Sequence, residues 1–298
     1  MRLIWYPGGA NEGILNFPGT ASDGITAIGA PLIDYSGFSG NAVSHQIVRS
    51  PGQHGATWLD SLYDPRKLSF SAWITATTLQ GLLDTQREIV AAFDVGKGRG
   101  ALVWEQEDGK QYMINCIADG SCPVSNPGIS DRGIYSQRLT FPLIAHDPFW
   151  YSGSPHLATF KFVGKSFFPF NFPFNFQSSQ SPSQTITNAG SHNAPVYLKF
   201  IGPMTNPILT NTLTGKSLGL TLAILAGESV EINTDENDLY AIYNATAGSE
   251  LAFQYLNATT VLREFSLIPG SNPCQLSSSS YGSGAELQLQ WSDKHAGL

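Results

Sequence analysis

Residues 77–93, TTLQGLLDTQREIVAAF, break the periodicity of everything before them, and residues 101–117, ALVWEQEDGKQYMINCI, restore it. In the first run Leu79, Leu82, Leu83, Ile89, Val90 and Phe93 recur at three- and four-residue steps around Asp84, Gln86, Arg87 and Glu88, which predicts one amphipathic helix. Thr77 or Thr78 is placed to cap its start, and Gly96 is placed to supply the left-handed residue that stops it. The second run holds two stretches of high strand preference joined by Asp108-Gly109, a dipeptide that tolerates positive φ, so it predicts a hairpin.

Upstream, GILNF (13–17), ITAIGAPLI (25–33) and KLSFSAWITA (67–76) are short apolar runs parted by Gly, Pro and Asn, the pattern of strands and turns. Downstream, IYSQRLTFPLIAHDPFWY (134–151) alternates and ends in the aromatic cluster Phe149, Trp150 and Tyr151. Residues 1–151 are therefore expected to form a β-rich domain of six to eight strands with one helix laid across a sheet. Composition then shifts. Residues 152–193 are rich in Phe, Pro, Ser, Gln and Asn and are expected to form a linker or arm. Within it Phe168, Phe170, Phe172, Phe174 and Phe176 occupy every second position, so an extended chain presents five rings on one face. A patch of that size does not stay in water, and its cover is either its own domain or a neighbouring subunit or partner. From 194 to 298, PVYLKFIG, LGLTLAIL, ESVEINT, LYAIYNA, REFSLI and AELQLQW are six runs separated by turn residues, which predicts a two-sheet sandwich.

The fold class is thus mainly β, in a chain of 298 residues, long enough for two cores. Only 13% of residues are charged, and the net charge is −7, a balance that excludes a nucleic-acid-coating protein and a disordered tail. Residues 1–151 hold ten basic and fourteen acidic side chains. No apolar run approaches the roughly 18 residues of a membrane span, so no membrane insertion is expected. The opening MRLIWYPGGANEG is too short in apolar residues for a secretory signal, which places synthesis and folding in a cytoplasm. The three cysteines, Cys116, Cys122 and Cys274, are expected as reduced thiols.

Reactive constellations fail on spacing. Gly215-Lys216-Ser217 lacks the upstream glycine of a phosphate loop, and Gly96, Gly98 and Gly100 follow a helix rather than open one. Gly37-Phe38-Ser39-Gly40 has the wrong spacing for a nucleophile elbow. Cys116 and Cys122 have five residues between them, and the six histidines form no close pair, so no metal site is expected. Asp235, Glu236 and Asp238 run into a strand start at Leu239 rather than into a calcium loop, and Asn244-Ala245-Thr246 and Asn257-Ala258-Thr259 are expected as turns. The expectation is a protein that is not an enzyme, with no catalytic residue and no cofactor.

Residues 51–70, PGQHGATWLDSLYDPRKLSF, resemble the distal tail proteins of long-tailed bacteriophages, with their Gly-Ala-rich turn before an Arg-bearing strand. The order continues as in that family, through the helix, the Asp108-Gly109 hairpin and the closing Asp147-Pro148-Phe149-Trp150. NAPVYLKFIGPMTNPILTNTLTGKSLGL (193–220), AGESVEINT (226–234) and REFSLIPGSNPCQL (263–276) resemble the family's galectin-like β-sandwich, with its Gly-Pro, Asn-Pro and Pro-Gly-x-Asn turns. The phenylalanine-rich insert departs from it. The resemblance implies an N-terminal ring-forming domain and a C-terminal galectin-like sandwich in a structural hub at the virion tail tip, made in the host bacterial cytoplasm. It implies a homo-oligomeric ring of six subunits joining the tail tube protein to a tail-tip hub or tail-associated protein and a receptor-binding protein. DNA would pass through without specific binding. The alternative is a carbohydrate-binding module contacting the host surface through the sandwich, with Tyr240, Tyr243 and Trp291 as candidate sugar contacts.

Overall fold

The structure, a computed structural model, describes residues 2–8, 15–17, 26–27, 32–125, 133, 135–162 and 181–298. Phe168, Phe170, Phe172, Phe174 and Phe176 lie outside the described residues. The chain is mainly β, with the single helix Leu79–Ala92 among the described residues. It divides into two units, Met1–Gly153 with His295–Leu298, and Ser154–Lys294.

In the first unit the main sheet runs in the order Thr26–Ala27, Leu15–Phe17, Arg2–Tyr6, Gly100–Glu105, Gln111–Ala118, Ser136–Ala145, Arg66–Thr75 and Leu32–Ser36. Gly100–Glu105 and Gln111–Ala118 form the expected hairpin, closed by Gln106 N–H on the Lys110 carbonyl (2.9 Å) and by Lys110 N–H on Asp108 Oδ1 (3.1 Å). Ser136–Ala145 pairs with Arg66–Thr75 over its whole length, and its strict alternation buries Gln137, Leu139, Phe141, Leu143 and Ala145. Among the described residues of this unit the strands outnumber the expected six to eight.

The helix packs on this sheet through Leu82, Ile89 and Ala92. Trp5 stacks on Phe93 with ring centroids 4.7 Å apart and donates its Nε1–H to the Ala92 carbonyl (2.9 Å). Thr78 is the cap, its Oγ1 accepting from Gly81 N–H (3.1 Å). The stop differs from the expectation. Gly96 lies inside a 3-10 turn, Val95–Lys97, capped by Asp94, and the left-handed residue is Gly98 at φ 75°. Leu79, Leu83 and Val90, which periodicity grouped with the core face, stay exposed.

The second unit is a β-sandwich. One sheet runs His156–Lys161, Glu286–Trp291, Val196–Ile201, Ser229–Asn233, Tyr240–Ala245 and Gly248–Leu251. The other runs Ser183–Asn188, Gly270–Ser277, Ile208–Asn211 and Ser217–Gly219. Inward residues of both, among them Phe160, Val196, Leu198, Phe200, Ile232 and Leu289 from the first and Ile186, Leu209, Leu218 and Leu276 from the second, share one core. Residues 152–193 are therefore not linker throughout: His156–Lys161 and Ser183–Asn188 each alternate and join the two sheets. REFSLI is not a strand; it begins within the 3-10 turn Leu262–Glu264 and makes a single bridge from Leu267 to Ala194. The strand there is Gly270–Ser277, whose Gly270, Asn272 and Pro273 read as turn residues.

Glu228 is a buried carboxylate with no cation among its hydrogen-bond partners. Its Oε2 accepts from the Tyr243 hydroxyl and from Leu225 N–H (3.1 Å), and its Oε1 from Thr246 N–H (3.1 Å) and Thr246 Oγ1 (3.3 Å). The Tyr243 bond, followed by the Thr246 and Leu225 amides, holds this carboxyl below its ordinary value. The same bond pushes Tyr243 up to about 12. A carboxylate depressed by folding stabilises the folded state above its unfolded pKa, and the gain is lost as pH falls through the folded value. The urea midpoint of the sandwich is therefore expected to fall as pH drops below about 4.5, and Glu228→Gln is expected to lower the midpoint at neutral pH and flatten the acid slope. An unchanged slope in the variant would assign the acid sensitivity elsewhere.

Candidate subunit interface

One element of the first unit has no core of its own. Among the described residues Val43–Val48 and Thr57–Tyr63 form a separate two-stranded hairpin, and every residue of Val43–Val48 is exposed. The strands are in register from Val43 opposite Tyr63 to Gln46 opposite Asp60, then shift so that Ile47 faces Trp58. Alternation places Val43, Ile47, Trp58 and Tyr63 on one face, with His45 and Ser61 between them. Ser61 Oγ accepts from Trp58 Nε1–H (2.8 Å) and meets His45 Nδ1 (2.7 Å), so the indole is held across the hairpin. The other face carries Val48 and Leu62 among polar residues. Trp58 is 62% exposed, and Ile47, Leu59 and Leu62 are more than half exposed. An isolated hairpin is marginal in water, and a contiguous apolar patch of this kind marks a contact surface.

The root of the hairpin is rigid. Asn41 Nδ2 donates to the Asp64 carbonyl (2.7 Å), Asp64 N–H to the Ala42 carbonyl (3.0 Å), and Ser44 Oγ to Asp64 Oδ1 (2.7 Å). Arg66 follows at once and is 1% exposed. Its guanidinium donates to backbone carbonyls: Nε to Pro148 (2.6 Å), Nη1 to Gly37 (2.6 Å), Gly40 (3.3 Å) and Phe38 (3.4 Å), and Nη2 to Ala296. Burial pulls the group below its ordinary pKa, yet an arginine so far above neutrality stays charged. Leu298 N–H donates to the Phe38 carbonyl (3.2 Å), and Gly297 approaches so closely that a Cβ there would sit 1.7 Å from the Ser39 carbonyl oxygen. Arg66, on the segment leaving the hairpin, thus ties together the entering segment 37–40, Pro148 and Ala296.

The three aromatics considered for sugar do not gather on one face. Tyr243 is buried, with its ring edge toward Tyr255 (5.9 Å), whereas Tyr240, three residues earlier on the same strand, points to the opposite side of the sheet. Trp291 packs partly against the core, stacks on His156 (5.1 Å) and donates Nε1–H to Asp293 Oδ1 (3.3 Å). The cysteines are free; burial raises Cys116, pushes Cys122 up to about 12 and Cys274 to about 11, so none is a thiolate at neutral pH. Among the described residues no three His, Cys, Asp or Glu side chains are grouped to hold a metal, and no helix is long and apolar enough to cross a membrane. What the first unit offers is a shaped apolar projection on a fixed root. Sequence reasoning passed over it because Trp58, Leu59 and Leu62 look like the interior of any strand.

Residues 28–141, which include the hairpin, Arg66 and the helix, match the phage tail protein RIFT-related domain. No curated protein matches the sequence. Among solved structures the chain is similar to the SPP1 Dit (gp 19.1) protein, described as a paradigm of the hub adsorption apparatus in phages infecting Gram-positive hosts. The TM-score is 0.65 at 10% identity over 98% of both chains. It is also similar to a chain of the phage P2 baseplate in its activated conformation with Ca, at TM-score 0.54 and 10% identity, and to one of the phage p2 baseplate with Sr, at 0.53 and 12%, each over 100% of both chains. Residues 28–141 thus match the phage tail protein RIFT-related domain, and over nearly its whole length the chain shares the fold of the SPP1 Dit protein.

Proposed function

We propose that the protein is a structural hub of a phage tail tip, closing into a ring of six copies that joins the tail tube to the baseplate or adhesion device and surrounds the DNA channel. The observation that carries this reading is the exposed apolar surface of the hairpin Val43–Tyr63, centred on Trp58 and inside the matched tail domain. The full-length likeness to a hub protein and to baseplate chains supports the same assignment. Its partners are copies of itself, a tail tube protein, and a tail-tip or receptor-binding protein. The acid excess of the first unit suits a channel that repels a polyanion, so the assembled ring is expected to show no tight binding of duplex DNA at low salt. Antibody against the chain, applied to intact virions and viewed by electron microscopy, is expected to mark the end of the tail away from the capsid. Label on the capsid, or along the whole tail, would overturn the assignment.

A further inference from the structure

A ring in which each copy meets the next head to tail needs two different surfaces on one chain, one to give and one to receive. Among the described residues of the first unit, exposed large apolar side chains gather in two places, with Tyr35 and Tyr135 apart from both. The first is the hairpin. The second is the outer side of the helix, where Leu79, Leu83 and Val90 share one stripe and Val95 follows at 70% exposure. Leu83, Val90 and Val95 form one wall of an open cleft of about 730 Å³, with Gly120, Ser121 and Cys122 opposite and Arg87 and Asp94 on its rim. Helices of water-soluble domains present polar residues outward, so an apolar outer stripe beside a cleft is a surface awaiting cover.

We infer that this cleft receives the hairpin of a neighbouring copy, with Trp58 as the anchor, an inference that rests on the ring reading above. Three observations select that occupant. Among the described residues of the unit the hairpin carries the largest group of exposed apolar side chains, and its indole is already fixed by Ser61, so little freedom is lost on docking. Charge is compatible: the cleft lining holds one cation and one anion, Arg87 and Asp94, and the hairpin balances Arg49 with Asp60, so no like-charge repulsion opposes the contact. Finally, giver and receiver are distinct, so the contact propagates from copy to copy instead of ending in a symmetric pair.

Two full-length variants test this in one experiment. Trp58→Asp spoils the giver and leaves the cleft intact; Val90→Asp, at a position 53% exposed, spoils the receiver and leaves the hairpin intact. Both are expected to melt as the parent does, and Leu83→Arg serves as a second cleft variant if Val90→Asp does not. In sedimentation each variant alone is expected as a monomer, while an equimolar mixture is expected to yield a one-to-one pair of twice the 32.1 kDa chain mass and nothing larger. A mixture that stays monomeric at every concentration, or a cleft variant that assembles as the parent does, overturns the inference while the ring reading stands. A parent chain that is itself monomeric sinks the ring reading first.

Discussion

Replacing Arg66 by Met is expected to lower the stability of the first unit by about 3–5 kcal/mol and its melting temperature by roughly 10 °C. The methionine refills much of the space taken by the arginine stem, so the loss is that of the donors. Backbone carbonyls of Gly37, Phe38, Gly40, Pro148 and Ala296 converge on one guanidinium, which is 1% exposed. A buried acceptor left dry costs about 1–3 kcal/mol, and water entering the vacated space recovers part of the total. Arg66→Lys is expected to rescue little, because an ammonium is a compact donor and cannot span three separate segments as a planar fork does. The defect is also local. Amide exchange at residues 37–40 and 296–298 is expected to quicken before the rest of the unit opens, since those segments are tied through Arg66. A melting temperature within a degree or two of the parent, with tail amides still protected, would show that the clamp is not what holds the hairpin root.

In the sandwich, Asn272→Leu is expected to cost about 3–4 kcal/mol, read as a lower urea midpoint for the second unit. Asn272 is fully buried, and its amide bonds in both directions: Nδ2 donates to the carbonyls of Ile268 (2.7 Å) and Gly270 (3.0 Å), and Oδ1 accepts from Ile268 N–H (3.0 Å) and Asn211 Nδ2 (2.9 Å). Asn211, equally buried, turns its own Oδ1 to Leu213 N–H (3.1 Å) and Thr214 N–H (3.4 Å). Leucine matches the volume and strands the Ile268 and Gly270 carbonyls, the Ile268 N–H and the Asn211 amide nitrogen at once. Asn272→Asp is expected to be harmful as well, because a carboxylate oxygen then faces the two carbonyls that had accepted from the amide. Because the two asparagines share one network, Asn211→Leu combined with Asn272→Leu is expected to cost less than the sum of the single changes. A loss under about 1 kcal/mol for Asn272→Leu would mean that water replaces the amide without penalty.

The Pro269-Gly270-Ser271-Asn272 turn shows both the reach and the limit of the sequence. As a motif it pointed to the sandwich, but its residues argued against a strand, and only the cross-strand partners of Gly270–Ser277 reveal one. The helix and the Gly100–Ala118 hairpin were legible because their periodicities are local and their caps adjacent. Which leucines of the helix face the sheet was not: Leu79, Leu82 and Leu83 look alike in sequence, and Leu82 alone of the three packs inward. The hairpin at Val43–Tyr63 has the composition of a core strand pair, so its exposure depends on what the rest of the unit leaves uncovered. Arg66 was visible as an arginine on a strand, but its five carbonyl partners come from positions as distant as 37 and 296, and no local pattern announces them. Glu228 and Tyr243 are fifteen residues apart in the chain and meet because the strand that follows Glu228 pairs with the strand that holds Tyr243.

The central claim is that this chain acts by assembling. Electron microscopy of the purified protein, paired with a mass measurement on the same sample, tests it most directly. The account predicts closed rings with a central opening and a mass near six times the 32.1 kDa chain. A well-folded monomer at every concentration, with its hairpin exposed and no rings on the grid, would contradict it.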